Sequence, residues 1–549
     1  MTVFTKTPFK PSNNKRLFGL AAGLVMTAGA VAAQGTGLRT PVEMHPDRFV
    51  NFTTANLLPA GTLRLWVGSH QTAPGKAAVG TANQTYYGGV TYAVSPRFQI
   101  GIGHSEFHDP PVSPIGGVTS QIRFHTTSLE GKVGLVESGP WKVAVQGSVE
   151  QFIFRSPYFG IPTAASNSHV VGSLHVPVSY SVSDALQLHV TPGVSALPDT
   201  IGGLPFYGTV ASLGAGFSYK PSLRWTTYGA VNVPLSGGNS ISSAGAIEKK
   251  PVLTLGARFN ISPKGALDVF VTNGLGVSPA TRIMTMFPDG DQFMVGATMT
   301  YTPGRGPAYR PNYRGLAAEP LTMRQRHLQR DGFTLASADT LTPGIFVGRA
   351  SGGSDGAYAG ELQFSPDYDG QIDVSYEKFA NDGSVPVGTI PSRAASYALG
   401  LKLRFMDQNN GSPFSLSMLA KLGRDRSGSK NGTFFIAMPM MYKASPKLAL
   451  MASPKAAAFS SKEYYGLGLG VNYEIAPGLE VIGEVTPVSA GQRTVWATGL
   501  RYYPKNSSAS IDLSATNAIG SEALGSMIGQ SDVRVSLGIT LALDARGFR

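Results

Sequence analysis

Arg258 and Asp268, and again Arg501 and Asp512, sit in two stretches that repeat half the chain apart. "ALDVFVTNGLG" (266–276) and "SIDLSATNAIG" (510–520) each place an Asp among apolar residues, then Thr-Asn, two further residues and Gly. In "ARFNISPKGALDV" the apolar Leu255, Ala257 and Phe259 alternate with the rest, as do Leu267, Val269 and Val271. Side chains of an extended strand alternate between its two faces, so Arg258 and Asp268 share the face opposite those apolar residues. A hairpin turning near Pro263 sets them side by side, and one turning near Asn506 does the same for Arg501 and Asp512. The chemistry this predicts is a cross-strand ion pair, written twice. The alternative is four independent charges lining a pore. Asn tolerates left-handed backbone and Gly has no Cβ, so Thr-Asn-x-x-Gly reads as the turn that ends a strand before a long loop.

Further charges sort by strand in the second half. Glu361, Asp373 and Glu377 fall on its second and third strands, Lys402, Arg404 and Lys421 on its fourth and fifth. Acids facing bases across a lumen would set up a transverse field of the kind that orients polar solutes and tunes ion selectivity. A small barrel can also simply be filled by such side chains, paired with one another. In the first half, parity turns His125, His175 and His189 inward as polar lining. A hydrolase would need Ser, His and an orienting polar group together. Ser is abundant enough to make that coincidence cheap, and no G-x-S-x-G elbow is present. The His residues show no metal-ligand spacing. The reading is therefore of a non-enzyme without cofactor.

These residues need strands to hold them, and period-two alternation dominates from about 61 to 543. "SYALGLKLRF" (396–405) sets Leu399, Leu401, Leu403 and Phe405 against Gly400, Lys402 and Arg404. Short turns such as "SPR" (95–97), "SDA" (183–185) and "APG" (476–478) alternate with longer connections such as 109–118, 235–248 and 274–290. The only helix candidate, 317–330, is weak. Strands of this length, in up-and-down order with tight turns at one end and long loops at the other, predict a transmembrane antiparallel barrel. A packed β-sandwich would need apolar inner faces, and here those faces carry Gly, Ser, Thr and charges.

The repeat runs beyond the opening motif. "TLGARFNISPKGALDVF" parallels "ATGLRYYPKNSSASIDL", and "NLLPAGTLRLWVG" (56–68) resembles "DTLTPGIFVG" (339–348). Each half supplies about 12 strands. The expected organisation is a signal peptide (1–33), an N-terminal periplasmic lead (34–60) and a first barrel (61–302). A Pro/Gly/Arg-rich linker (303–343), a second barrel (344–543) and a C-terminal tail (544–549) follow. Two tandem barrels of about 12 strands explain the long linker, whereas one barrel of about 24 strands would need only a tight turn there.

Basic Lys6, Lys10, Lys15 and Arg16, the apolar "LFGLAAGLVMTAGA" and the small residues of "AVAAQ" carry the export signal. The chain has 549 residues and no Cys, which excludes disulfides and thiolate metal sites. Charged residues make up 14%, where soluble proteins carry about 25%. The net charge of +12 is spread along the chain and points to no nucleic-acid partner.

On these features the chain resembles the bacterial outer-membrane β-barrels, and it is porin-like. Its tandem plan resembles the double-barrel outer-membrane proteins of capsule and exopolysaccharide export. The resemblance implies a channel or envelope-export component passing small polar solutes or polysaccharide. It also implies contact with outer-membrane lipid and lipopolysaccharide, insertion by the outer-membrane assembly machinery, and export-system partners. The alternative is a non-conducting structural or adhesive surface barrel.

Overall fold

The computed structural model describes residues 42–72, 84–108, 113–161, 166–303, 320–379, 383–385, 396–425, 432–459, 462–489, 491–505 and 507–544. The signal peptide, residues 34–41 of the lead, 304–319 of the linker and 545–549 of the tail lie outside the described residues.

Alternation is realised as two closed antiparallel barrels of twelve strands each. The first comprises β1 (Leu63–Gln71), β2 (Gln84–Ser95), β3 (Phe98–His108), β4 (Arg123–Ser138), β5 (Trp141–Arg155) and β6, which runs as Asn167–His175 and resumes at Val178–Ser181. It continues through β7 (Leu186–Ala196), β8 (Thr209–Tyr219), β9 (Trp225–Pro234), β10 (Val252–Asn260), β11 (Gly265–Thr272) and β12 (Met294–Tyr301). Pairing of β12 with β1, from Val295↔Gln71 to Tyr301↔Leu65, closes the ring.

The second barrel comprises β13 (Ile345–Gly353), β14 (Tyr358–Phe364), β15 (Gly370–Lys378), β16 (Ser396–Met406), β17 (Ser415–Asp425) and β18, Gly432–Ala437 resuming at Met440–Lys443. It ends with β19 (Leu448–Phe459), β20 (Lys462–Ala476), β21 (Leu479–Thr486), β22 (Val495–Tyr502), β23 (Ala509–Ala518) and β24 (Gly529–Asp544). Closure is by β13 on β24. Closing each ring leaves no unpaired sheet edge. The 24-strand alternative is thereby set aside.

The outer faces are apolar and exposed, as at Leu255, Leu362, Leu399 and Leu537, while the intervening side chains point inward and are buried. Part of the outer surface is covered because the barrels lie side by side. Leu65, Val67, Met299 and Tyr301 of the first pack against Leu401, Leu403, Met418 and Ala420 of the second. Gly370 is required there, because an added Cβ would stand 2.4 Å from the Tyr301 ring. Lys264, in the β10–β11 turn, bridges to Asp367, in the β14–β15 turn, at 3.2 Å. The weak helical signal survives as one short helix, Met323–His327, capped by Thr322 and Gln325.

Candidate functional site: two filled lumens

The repeated Arg and Asp pair as their spacing requires. Arg258 and Asp268 are register partners, with Nε donating to Oδ1 at 2.9 Å and Nη2 to Oδ2 at 3.0 Å. Arg501 and Asp512 are register partners too, at 2.7 and 2.9 Å. Both pairs are buried inside their barrels.

The Thr-Asn motif has a different cause from the expected one. Neither Asn273 nor Asn517 adopts left-handed backbone. Instead each side-chain amide stands in for a peptide group and extends the ladder beyond the strand end. Asn273 Oδ1 accepts from Leu253 N at 2.7 Å, and its Nδ2 donates to Pro251 O at 2.9 Å. Asn517 does the same with Trp496 N and Thr494 O, at 2.8 and 2.9 Å. The preceding Thr272 and Thr516 donate to Leu253 O and Trp496 O, at 2.7 and 2.6 Å. The chain then turns inward rather than out.

After β11, residues 274–292 fold into the mouth of the first barrel. Leu275, Ile283, Met284, Met286 and Phe287 pack on the inward Phe107, Phe124, Phe152 and Phe154. Glu150 accepts from Ala280 N at 2.7 Å, and Arg282 donates to Gln146 at 3.0 Å. After β23, residues 519–528 enter the second barrel likewise, with Ile519, Leu524, Met527 and Ile528 against Phe435 and Phe459.

From the other end, each lumen receives the segment that precedes its first strand. Residues 42–60, expected as a periplasmic lead, run inside the first barrel. Asp47 binds Arg64 and accepts from Gln99, and Lys132 Nζ donates to the carbonyls of Asp47 and Thr54, at 2.8 and 3.2 Å. Phe49 stacks on Tyr228, centroids 4.4 Å apart. Residues 328–342, expected within a periplasmic linker, run inside the second. Glu484 accepts from the amides of Phe333 and Thr334, at 3.1 and 2.6 Å, and Lys455 donates to Thr334 O at 2.7 Å. Just before them, Arg324 binds Glu480. These corrections have one physical reason: the inward polar groups need partners, and the preceding segments supply them. The two plugs share one local turn contact. Asn56 N donates to Thr54 Oγ1 at 3.2 Å, and Asp339 N to Ser337 Oγ at 3.2 Å.

The remaining predicted residues divide. Lys421 does not face acids across open water; it binds Glu361 at 2.7 Å and Glu522 at 3.0 Å. Arg349 links Glu522, at 3.6 Å, to Asp512, at 3.8 Å. Lys402 meets Asp331 of the plug at 3.4 Å. Asp373 accepts from Gln371 at 2.7 Å, and Glu377 from the Ser521 amide and hydroxyl. Arg404 lies at the rim, bound to Asp407 at 2.7 Å, with Asp369 4.0 Å away. In that turn, burial and the neighbouring Asp367 push the Asp369 carboxyl up to about 6, against Arg404 and Lys264.

His175 and His189 are buried in the first lumen. His189 lies 2.8 Å from Ser179 Oγ and 3.1 Å from Ser218 Oγ, and His175 Nε2 lies 3.2 Å from Pro279 O. His125 is a correction. The alternation of β4 buries Phe124 and Thr126 and leaves Leu129 exposed, so His125 faces out. Among the described residues the cavities beside the Arg/Asp pairs measure about 30 and 40 Å³. That is room for isolated waters, against hundreds of Å³ for a small-molecule pocket. No group of metal-ligating side chains occurs among the described residues.

Sequence reasoning missed Asn51, Asp331, Glu484, Lys455 and Glu522. The likeness of 56–68 to 339–348 was the available signal, because it begins inside the plugs.

Two closed rings with apolar outer faces and filled interiors that carry both charged and apolar groups define a porin-like outer-membrane β-barrel fold, present twice in one chain. Residues 388–535 match a family described as "Uncharacterised conserved protein UCP029691". No curated protein matches the chain in sequence. Among solved structures, the NanC porin is 7% identical with a TM-score of 0.30, covering 44% of this chain and 98% of that one. The siderophore receptor PirA from Pseudomonas aeruginosa is 8% identical, TM-score 0.24, covering 89% and 82%. The FrpB iron transporter from Neisseria meningitidis is 10% identical, TM-score 0.20, covering 88% and 81%.

Proposed function

We propose that the protein is an outer-membrane double barrel that is closed at rest, a structural or partner-contacting component of the envelope and not a standing pore. The observation that carries this is the filling of both lumens from both ends by the chain itself. Export by the N-terminal signal, insertion by the outer-membrane assembly machinery, and contact with lipid and lipopolysaccharide belong to the same reading. An export-system partner would engage the loops or the plugs.

Gated passage is a second reading, favoured by one observation. The seat of the second plug is polar and charged, at Glu484, Lys455 and Lys402, so it can exchange protein contacts for water more easily than an apolar seat could.

Single-channel recording on the folded protein in planar bilayers tests both. The closed barrel gives no sustained steps, and steady steps from the unaltered protein would refute it. Steps that appear only in Glu484→Ala, with an ion selectivity altered by Lys402→Glu, would establish the gated reading.

A further inference from the structure

The turn between β14 and β15, residues 365–369, is held from two sides. The first barrel grips it from outside. Lys264 Nζ stands 3.2 Å from Asp367, and the buried Tyr301 ring lies against Gly370, where an added Cβ would be 2.4 Å away. Lys264 and Tyr301 act as one unit, because Thr302 N donates to Lys264 O at 2.7 Å. The Lys264–Asp367 pair is buried, so losing one partner strands the other charge and frees the turn to move.

The second plug is fastened to the same turn from inside. Thr340 Oγ1 donates to Tyr368 O at 2.6 Å, and Leu341 N to Gln371 Oε1 at 3.1 Å. Just before β13, Gly344 N donates to Ser365 O at 2.9 Å. Thr340, Gln371 and Ser365 are fully buried. Buried polar groups of this kind keep their partners, so the end of the plug follows the turn.

Gly370 and Gln371 make the link short. Neighbouring residues of a strand face opposite sides of the sheet. Gly370 meets Tyr301 of the first barrel while Gln371 holds Leu341 of the plug, and a displacement of this strand end moves both contacts. The first plug is held differently, by Arg64, Gln99 and Lys132, none of which takes part in this clasp.

We propose that the first barrel regulates the second plug. Its grip on the β14–β15 turn keeps Thr340 and Leu341 seated, and loosening the contact between the barrels releases the second plug but not the first. Coupling of this kind needs two sites and an element that both bias. The sites are the clasp and the plug end, and the element is the turn. Linkage makes the effect reciprocal, so weakening the plug end also loosens the clasp. The proposal rests on the closed reading of the second lumen and adds what governs its release.

The test times the labelling of Ala338→Cys and, separately, of Ala55→Cys with a hydrophilic maleimide. It uses the full folded chain in detergent, at a urea concentration below the unfolding transition. Lys264→Ala/Tyr301→Leu should speed labelling at position 338 at least about tenfold, within the usual range of coupling between sites, and leave position 55 unchanged. Thr340→Val/Gln371→Ala should speed it too, and adding the clasp substitutions should then bring no further rise. An unchanged rate at 338 overturns the proposal, as does an equal rise at 55, which marks general loosening. Heat-modifiable migration confirms that each variant is folded; should the double clasp variant fail, Lys264→Ala alone carries the test. Prompt labelling at 338 without the clasp substitutions refutes the closed reading itself, and the coupling with it. Slow labelling that those substitutions do not change refutes the coupling alone.

Discussion

The two barrels share strand number, closure, the Arg/Asp pair, the Asn ladder extension and a plug at each end, yet they fill their interiors differently. The first packs its external half with Phe107, Phe124, Phe152 and Phe154 against Met284, Met286 and Phe287. The second has a smaller apolar cluster there, around Phe435 and Phe459, and adds a chain of charges from Glu361 through Lys421 and Glu522 to Arg349 and Asp512. The two barrels thus share the positions that close the ring and seat the plugs, and differ in part of the filling. An apolar filling resists water, whereas a charged one remains competent to be hydrated.

The largest effects should separate the two fillings. Phe154→Ala and Lys421→Ala should each cost about 3–5 kcal/mol, one by leaving a cavity and the other by leaving buried carboxylates uncompensated. The difference lies in rescue: adding Glu361→Gln to Lys421→Ala should recover much of the loss. Urea unfolding in lipid vesicles reads both, and an unrescued Lys421→Ala would contradict the charge account.

Next come the paired acids. Asp268→Asn should cost about 3 kcal/mol by stranding Arg258. Asp512→Asn should cost more, because Arg349 also depends on it; equal losses would mean that the second network adds nothing.

Asn273→Ala and Asn517→Ala should be smaller and alike, about 1–2 kcal/mol each, for the loss of a backbone-like amide. A large loss in one barrel only would break the symmetry.

The smallest effect concerns the clasp between the barrels. The Asp369 carboxyl sits higher in the fold than its unfolded value of 3.8. Between about pH 4 and 6 the folded state therefore holds the extra proton, and stability falls as pH rises through that window. Asp369→Asn should flatten the pH dependence of the heat-modification temperature there; an unchanged slope would remove Asp369 from the clasp.

Much of this was legible in the sequence, because alternation and turn length are local. The twelve-strand halves, the inward acids and bases and the Arg/Asp pairs all follow from parity within a single hairpin. His125 shows the limit of parity: the 109–122 connection hides which residue begins β4, and a one-residue change of phase reverses every face. The plugs were not legible for a different reason. Asp331 and Asn51 lie in segments without periodicity, and their partners, Lys402, Gln363, Thr254 and Thr272, are set by the closed ring and not by neighbours in sequence.

The central claim is that both lumens are occupied by the chain's own plugs. Because the chain has no Cys, single substitutions report occupancy directly. Ala55→Cys in the first plug and Ala338→Cys in the second are each 1% exposed at the native residue. Timed labelling of the folded protein with a hydrophilic maleimide should leave both unmodified until denaturant is added. Prompt labelling of both in the folded protein would show that the lumens are open and contradict the account.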